Sequence, residues 1–266
     1  MSTITILAAF VFGTCIGSFL NVVIWRLPRE IGLGGRSGRS ECPNCHHVLS
    51  WYDLVPVLSF AIALGACRYC KKRISIRYPL IEVVTGFLFA LAAAVTMPHD
   101  LISWLLMLKL IVIISVCVTV FVIDLEHYLI LDKVVYPAMV VSAVLIIATS
   151  VVNGSYSQIL SSAICGLAGF VLFGLVWVVS KGKWMGFGDA KLVAWIGLVL
   201  AWPSTATALF LSFILGAIVG LGLIVSGKKQ LGSKIPFGTF LAVATVLAAF
   251  YGPQLWAMYW GVFQMK

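Results

Sequence analysis

The sequence predicts an all-α polytopic membrane protein with about eight transmembrane helices. Composition is the first reason: of 266 residues, 62% are hydrophobic and only 10% are charged, and the mean hydropathy is +1.09. Such values lie outside the range of soluble domains. The second reason is that apolar runs of membrane length, about 17 residues or more, recur along the chain. They cover residues 4–24, 79–97, 101–123, 134–152, 159–179, 190–226 and 235–251.

The run at 190–226 is too long for one crossing. As a single helix it would extend about 55 Å, nearly twice the thickness of the hydrocarbon core. It also contains Trp202-Pro203 near its first third. We therefore expect two short crossings in this run.

The distribution of basic residues supports that interpretation and orients the chain, because cytoplasmic loops carry an excess of Lys and Arg. Nine basic residues lie in 25–78, and most of the others fall in alternate loops, whereas the intervening loops 98–100, 153–158 and 202–203 have none. This alternation predicts that both termini lie outside the cytoplasm. The net charge of +9 then reflects orientation and attraction to anionic membrane lipids. The basic residues are too dispersed for a nucleic-acid groove, so we expect no nucleic-acid partner.

The loop at 25–78 carries two CxxC pairs, Cys42 to Cys45 and Cys67 to Cys70. Four thiolates at this spacing suit a single tetrahedral zinc ion. Two disulfides are the alternative, but they seldom persist in the cytoplasm, and no βαβ pattern supports a redox CxxC. The predicted metal ligands are Cys42, Cys45, Cys67 and Cys70. The predicted domains are the first transmembrane helix (1–24), a cytoplasmic zinc-binding domain (25–78) and a membrane domain of about seven helices (79–266).

Asp124 and Asp189 stand at the ends of apolar runs, where a carboxylate is costly to desolvate and usually serves a function. Asp189 follows Gly186 and Gly188, so capping of a helix N-terminus explains it equally well. Asp124 ends a helix, where the dipole disfavours a carboxylate and we expect no capping hydrogen bonds. The predicted topology places both acids on the cytoplasmic side at similar depth. Two carboxylates that share a site do not ionise together easily, so one holds a proton while the other activates water.

Other interpretations of these acids stay open at this point. A transporter or channel would use membrane carboxylates to relay protons or bind cations. It would favour acids near the midplane and internal repeats, which the hydropathy does not show. A noncatalytic assembly scaffold is a third class. Glu82, Glu126 and Asp132 are lesser candidates, which we expect to be solvated or paired with neighbouring basic side chains.

The residues as a whole resemble the bacterial prepilin peptidases, or type IV leader peptidases, over nearly the whole chain. The resemblance includes Gly17 to Val23 followed by Arg26-Leu27-Pro28, both CxxC pairs, Arg77 to Glu82, Ile123 to Asp132, Gly186 to Leu192 and Pro236-Phe237-Gly238. It implies an aspartyl endopeptidase of the bacterial inner membrane, with its active site facing the cytoplasm. The implied substrates are type IV pilin and type II secretion pseudopilin precursors, which lose a short basic leader.

The resemblance also implies roles for particular residues. The family's two catalytic aspartates correspond to Asp124 and Asp189, and its zinc-site cysteines to the four named above. Many members also methylate the new N-terminus with S-adenosylmethionine. This chain has Ala66 where a lysine is common before the second CxxC, Glu126 where aspartate is common, and Leu131 where proline is usual.

Overall fold

The structure, a computed structural model, describes residues 2–34, 39–230 and 234–264. Arg36, one of the nine basic residues counted in the 25–78 loop, lies outside the described residues. The helices are α1 (Ser2–Arg26), α2 (Leu58–Ile62), α3 (Arg77–Thr96), α4 (Leu101–His127), α5 (Asp132–Asn153), α6 (Ser157–Ser180), α7 (Phe187–Leu200), α8 (Ser204–Val225) and α9 (Phe237–Gln264). Two 3₁₀ turns, Leu27–Arg29 and Trp51–Asp53, and two isolated β-bridges complete the secondary structure of the described ranges.

Seven of these helices, all except α2 and α7, are long and apolar enough to cross a membrane. The predicted all-α membrane fold is therefore confirmed. The run at 190–226 divides at the expected place, because α7 ends at Leu200 and α8 begins at Ser204, but of the two expected crossings only α8 is among the seven candidate spans. At 14 residues, α7 is only about 21 Å long, shorter than the hydrocarbon core.

The chain forms two compact units, Met1–His99 and Asp100–Lys266. In the first unit, α1 packs against α3. Their backbones approach closely at Gly17, where an added methyl group would lie 2.7 Å from the Cα atom of Glu82. Small residues allow this kind of contact between membrane helices, so Gly17 is a packing residue. The predicted functional division at residue 79 stays a prediction.

In the second unit, the short helix α7 is the most enclosed element. It packs against α5, α6 and α9, and Trp195 in its second half is fully buried with its indole N–H donating to the Ser142 hydroxyl at 3.0 Å. An indole N–H away from water requires such a partner. Because α7 carries Asp189 in its first turn, this enclosure gives that carboxylate a rigid support.

Candidate active site and metal centre

The four predicted metal ligands come together in the first unit. They lie on two short hairpins with the same hydrogen-bond pattern: Cys42 N–H donates to the His47 carbonyl at 3.0 Å, and Cys67 N–H to the Lys72 carbonyl at 2.8 Å. The rings of His47 and Tyr69, with centroids 3.6 Å apart, join the two hairpins. The second hairpin thus repeats the first, which the sequence analysis did not recognise although the two CxxC pairs signalled it.

The geometry of the sulfur atoms fits a tetrahedral metal site. The four Sγ atoms lie within 4.8 Å of one another, and those of Cys42 and Cys70 are 3.9 Å apart. Zinc–sulfur bonds of about 2.3 Å require sulfur separations of about 3.8 Å. Burial raises the pKa of the Cys42 thiol, but the backbone N–H groups of Cys45 and Asn44 and neighbouring thiols more than offset this and lower its pKa to about 7. The cluster therefore has the ligand set and spacing that zinc requires.

Asp124 lies in the last turn of α4 and is only 5% exposed. Its Oδ2 atom accepts the backbone N–H of Thr239 at 2.9 Å, and the N–H of Gly238 also donates to it. These donors belong to the first turn of α9, whose N–H groups have no partner within the helix. The expectation that Asp124 gains no capping hydrogen bonds is therefore wrong, because it caps a different helix from the one that carries it.

Asp189 lies in the first turn of α7 and is 8% exposed. Its Oδ2 atom accepts the N–H of Gly186 at 3.0 Å, so the capping role considered for it is present as one hydrogen bond. Asp124 is also near enough to act on this carboxylate electrostatically. The two acids that are far apart in sequence thus share one buried site in the second unit.

Two glycines allow the site to close around Ile130, which lies between α4 and α5. A methyl group added at Gly188 would lie 2.9 Å from Cβ of Ile130. One added at Gly238 would lie 2.8 Å from the Asp124 Oδ2 atom and 3.1 Å from Cδ1 of Ile130. Both glycines are thus needed for close packing rather than for a special backbone conformation.

The lesser acidic candidates have separate environments. Asp132 pairs with Lys191, whose Nζ atom lies 2.7 Å from Oδ1, as expected for a neutralised acid. Glu126 is exposed, with its carboxylate 4.0 Å from His127. Glu82 differs from the expectation of a solvated or ion-paired acid, since it is buried in the first unit and accepts the backbone N–H of Val57 at 2.8 Å.

Fold and site together define a multi-pass helical membrane protein with a buried carboxylate pair and a four-cysteine cluster. Residues 11–96 match the family model for the bacterial peptidase A24 N-terminal domain, and residues 111–221 match that of the type IV leader peptidase family. The chain belongs to the type IV leader peptidase family.

Relatives of known name support this membership. The chain is 33% identical to a prepilin leader peptidase/N-methyltransferase of Aeromonas salmonicida (strain A449), over 94% of this chain and 92% of the relative. Proteins of the same name from Bacillus subtilis (strain 168) and Myxococcus xanthus (strain DK1622) are 32% and 36% identical. The Bacillus match covers 94% of this chain and 96% of the relative. The Myxococcus match covers 82% of this chain and 63% of the relative. No solved structure matches the chain.

Proposed function

We propose that the chain is a prepilin peptidase that removes the leader of type IV pilin-like or pseudopilin precursors at the cytoplasmic face of the bacterial inner membrane. The observation that carries this proposal is the meeting of two buried carboxylates, Asp124 and Asp189, in one site. The names of the relatives supply the substrate class. An aspartyl dyad is the chemistry that such a pair supports for hydrolysis of a peptide bond.

The hydrogen bonds around the pair suggest different roles for the two acids. Asp124 accepts two backbone N–H groups, from Gly238 and Thr239, and more such donors favour the ionised form of a carboxylate. Asp124 is therefore the ionised member and takes the proton of the attacking water. Asp189 accepts one backbone N–H and holds the proton that polarises the scissile carbonyl. The proton that Asp124 took from the water then passes to the leaving amine as the C–N bond breaks, with no covalent intermediate.

The four-cysteine cluster would hold zinc as a structural ion. Because a short loop has little apolar core, the bound metal would supply most of the free energy that keeps the two hairpins folded. The relatives' names also include N-methyltransferase, and S-adenosylmethionine would be the methyl donor for that second activity. We include methylation of the new N-terminus in the proposal and test it separately.

The dyad is tested by incubating purified Asp124→Asn and Asp189→Asn proteins, reconstituted in lipid, with a pseudopilin precursor. Each substitution should lower the cleavage rate by at least about 10²-fold, the lower range for loss of a general acid or base. Mass analysis of the product reports the cut position, and adding S-adenosylmethionine reports whether one methyl group is gained.

Asp100→Asn is the matched control, since it makes the same change about 36 Å away at the other end of α4. Asp100 caps that end by accepting the Ser103 N–H at 2.9 Å, and asparagine caps equally well. Its rate should equal that of the parent. A folded Asp124→Asn or Asp189→Asn protein that cleaves at the parental rate would refute the dyad, and a parent that cleaves no precursor would favour a transporter or a scaffold.

A further inference from the structure

An exposed apolar face lies on the loop between α1 and α3. We define the loop face as Trp51, Leu54, Leu58, Ile62 and Leu64, whose side chains are between 40% and 91% exposed. None of them belongs to a helix that is long enough to cross a membrane. Contiguous apolar surface of this kind outside the spans marks an interaction site.

The members of the loop face lie in the 3₁₀ turn, in α2 and in the turns beside it. Leu58 and Ile62 are four residues apart on α2 and so share one face of that helix, whereas Trp51 and Leu54 precede the break in helical backbone at Val57, whose φ is 62°. Phe60 points the other way, with its ring against Gly65. Helix α2 is therefore amphipathic, with Phe60 on its packed side and Leu58 and Ile62 on its exposed side.

A buried hydrogen bond fixes the depth of this segment relative to a spanning helix. Val57, which immediately precedes α2, donates its N–H to Glu82 at 2.8 Å, and the Ser18 hydroxyl also donates to that carboxylate. Glu82 is the sixth residue of α3, about 7.5 Å along the helix axis from its start. The start of α2 is thus level with the second turn of a helix that is long and apolar enough to cross a membrane.

The charges of the loop complement an anionic lipid surface. Its acidic residue nearest the loop face, Asp53, is turned inward, where it accepts the Tyr69 hydroxyl at 3.0 Å and lies 3.4 Å from the Arg68 guanidinium. Lys71 and Lys72 in the second hairpin are exposed. Exposed lysines on the hairpin that carries Arg68, with the nearby Asp53 turned inward, are the arrangement that anionic headgroups attract.

We propose that the loop face is embedded in the headgroup and upper acyl region of the membrane that α1 and α3 span, with the exposed lysines against anionic phosphates. Both ends of the loop continue into spanning helices, so the segment already lies at that surface. A tryptophan at the rim and leucine and isoleucine below it suit this layer. The zinc hairpins would then be attached to the membrane by the embedded loop face as well as by the spanning helices α1 and α3.

The proposal is tested by tryptophan fluorescence of the full chain in vesicles of phosphatidylcholine and phosphatidylglycerol. The emission of Trp51 is obtained as the difference between the parent and Trp51→Phe. Lipids brominated near the glycerol end of the acyl chain should quench most of that emission, and aqueous iodide should quench little of it. Quenching by iodide but not by brominated lipid would overturn the proposal, as would quenching by neither, which would indicate contact with protein.

A double substitution supplies the control for depth. Leu58→Asp combined with Ile62→Asp should move Trp51 into water, so that quenching by brominated lipid falls and quenching by iodide rises. Val48→Asp, which changes an exposed residue of the first hairpin outside the loop face, should leave both unchanged. Zinc content reports that the hairpins are folded, and undiminished lipid quenching in a folded double variant would contradict the proposal. None of these readouts depends on peptidase activity.

Discussion

Gly238→Ala should disturb the geometry of the proposed dyad while leaving the second unit folded. The added methyl group would lie 2.8 Å from the Asp124 Oδ2 atom and 3.1 Å from its Cγ atom, whereas ordinary contact begins at 3.4 Å. The carboxylate is the end of a side chain, so it can rotate away by about half an ångström, the tolerance within which catalytic groups must be held. Such a rotation weakens its hydrogen bond to the N–H of Thr239, which is 2.9 Å long.

The expected result is therefore a slower enzyme with a stable fold. Alanine in a helix is favoured over glycine by about 0.5–1 kcal/mol, which offsets part of the cost of the displaced carboxylate. A misplacement approaching 1 Å costs up to about 10²-fold in rate, so we expect a loss of at least about tenfold in single-turnover cleavage of a pseudopilin precursor. The midpoint of thermal unfolding should change little.

Gly174→Ala is the matched control for that experiment. It makes the same change in the middle of α6, where an added methyl group would meet no atom within 4 Å. Its cleavage rate should equal that of the parent. If Gly238→Ala also cleaves at the parental rate, Asp124 does not need the position that its α9 hydrogen bonds give it, and the proposed role of those bonds is wrong.

Three further changes test the supporting structure. Asp124→Ala should lower the free energy of unfolding by about 1 kcal/mol relative to Asp124→Asn, because alanine cannot cap the α9 turn at Thr239. Both variants should lose cleavage. Equal unfolding free energies for the two variants would contradict the capping role. Metal analysis of the parent should find about one zinc per chain, and Cys45→Ser should remove most of it whereas Cys15→Ser should not. Gly17→Ala should destabilise the first unit by about 1–3 kcal/mol through overpacking against α3, measured by urea unfolding.

The last two changes have direct controls. Parental zinc content in Cys45→Ser, or an equal loss in Cys15→Ser, would contradict the four-cysteine site. For Gly17→Ala the control is Gly222→Ala in α8, where an added methyl group would meet open space. Equal unfolding free energies for the two glycine variants would show that α1 and α3 are not held at the distance described.

The sequence predicted the spans and the break at Trp202-Pro203 because hydropathy and proline placement are local properties. It also predicted the cysteine cluster, since CxxC spacing nearly determines the ligand geometry. It did not predict that Glu82 would accept the N–H of Val57, because that bond depends on how a loop folds back on a helix. Residues distant in sequence meet through packing, which no local pattern encodes.

Asp124 illustrates this limit most clearly. The sequence alone indicated a carboxylate with no structural use at the end of α4, and that absence was an argument for function. In the structure it accepts the N–H groups at the start of α9, so burial alone no longer distinguishes a catalytic acid from a cap. The argument for function then depends on Asp189 lying near enough for the two carboxylates to interact electrostatically, because a cap needs no second carboxylate near it. Asparagine is consequently the informative replacement, since it keeps the cap and removes only the charge.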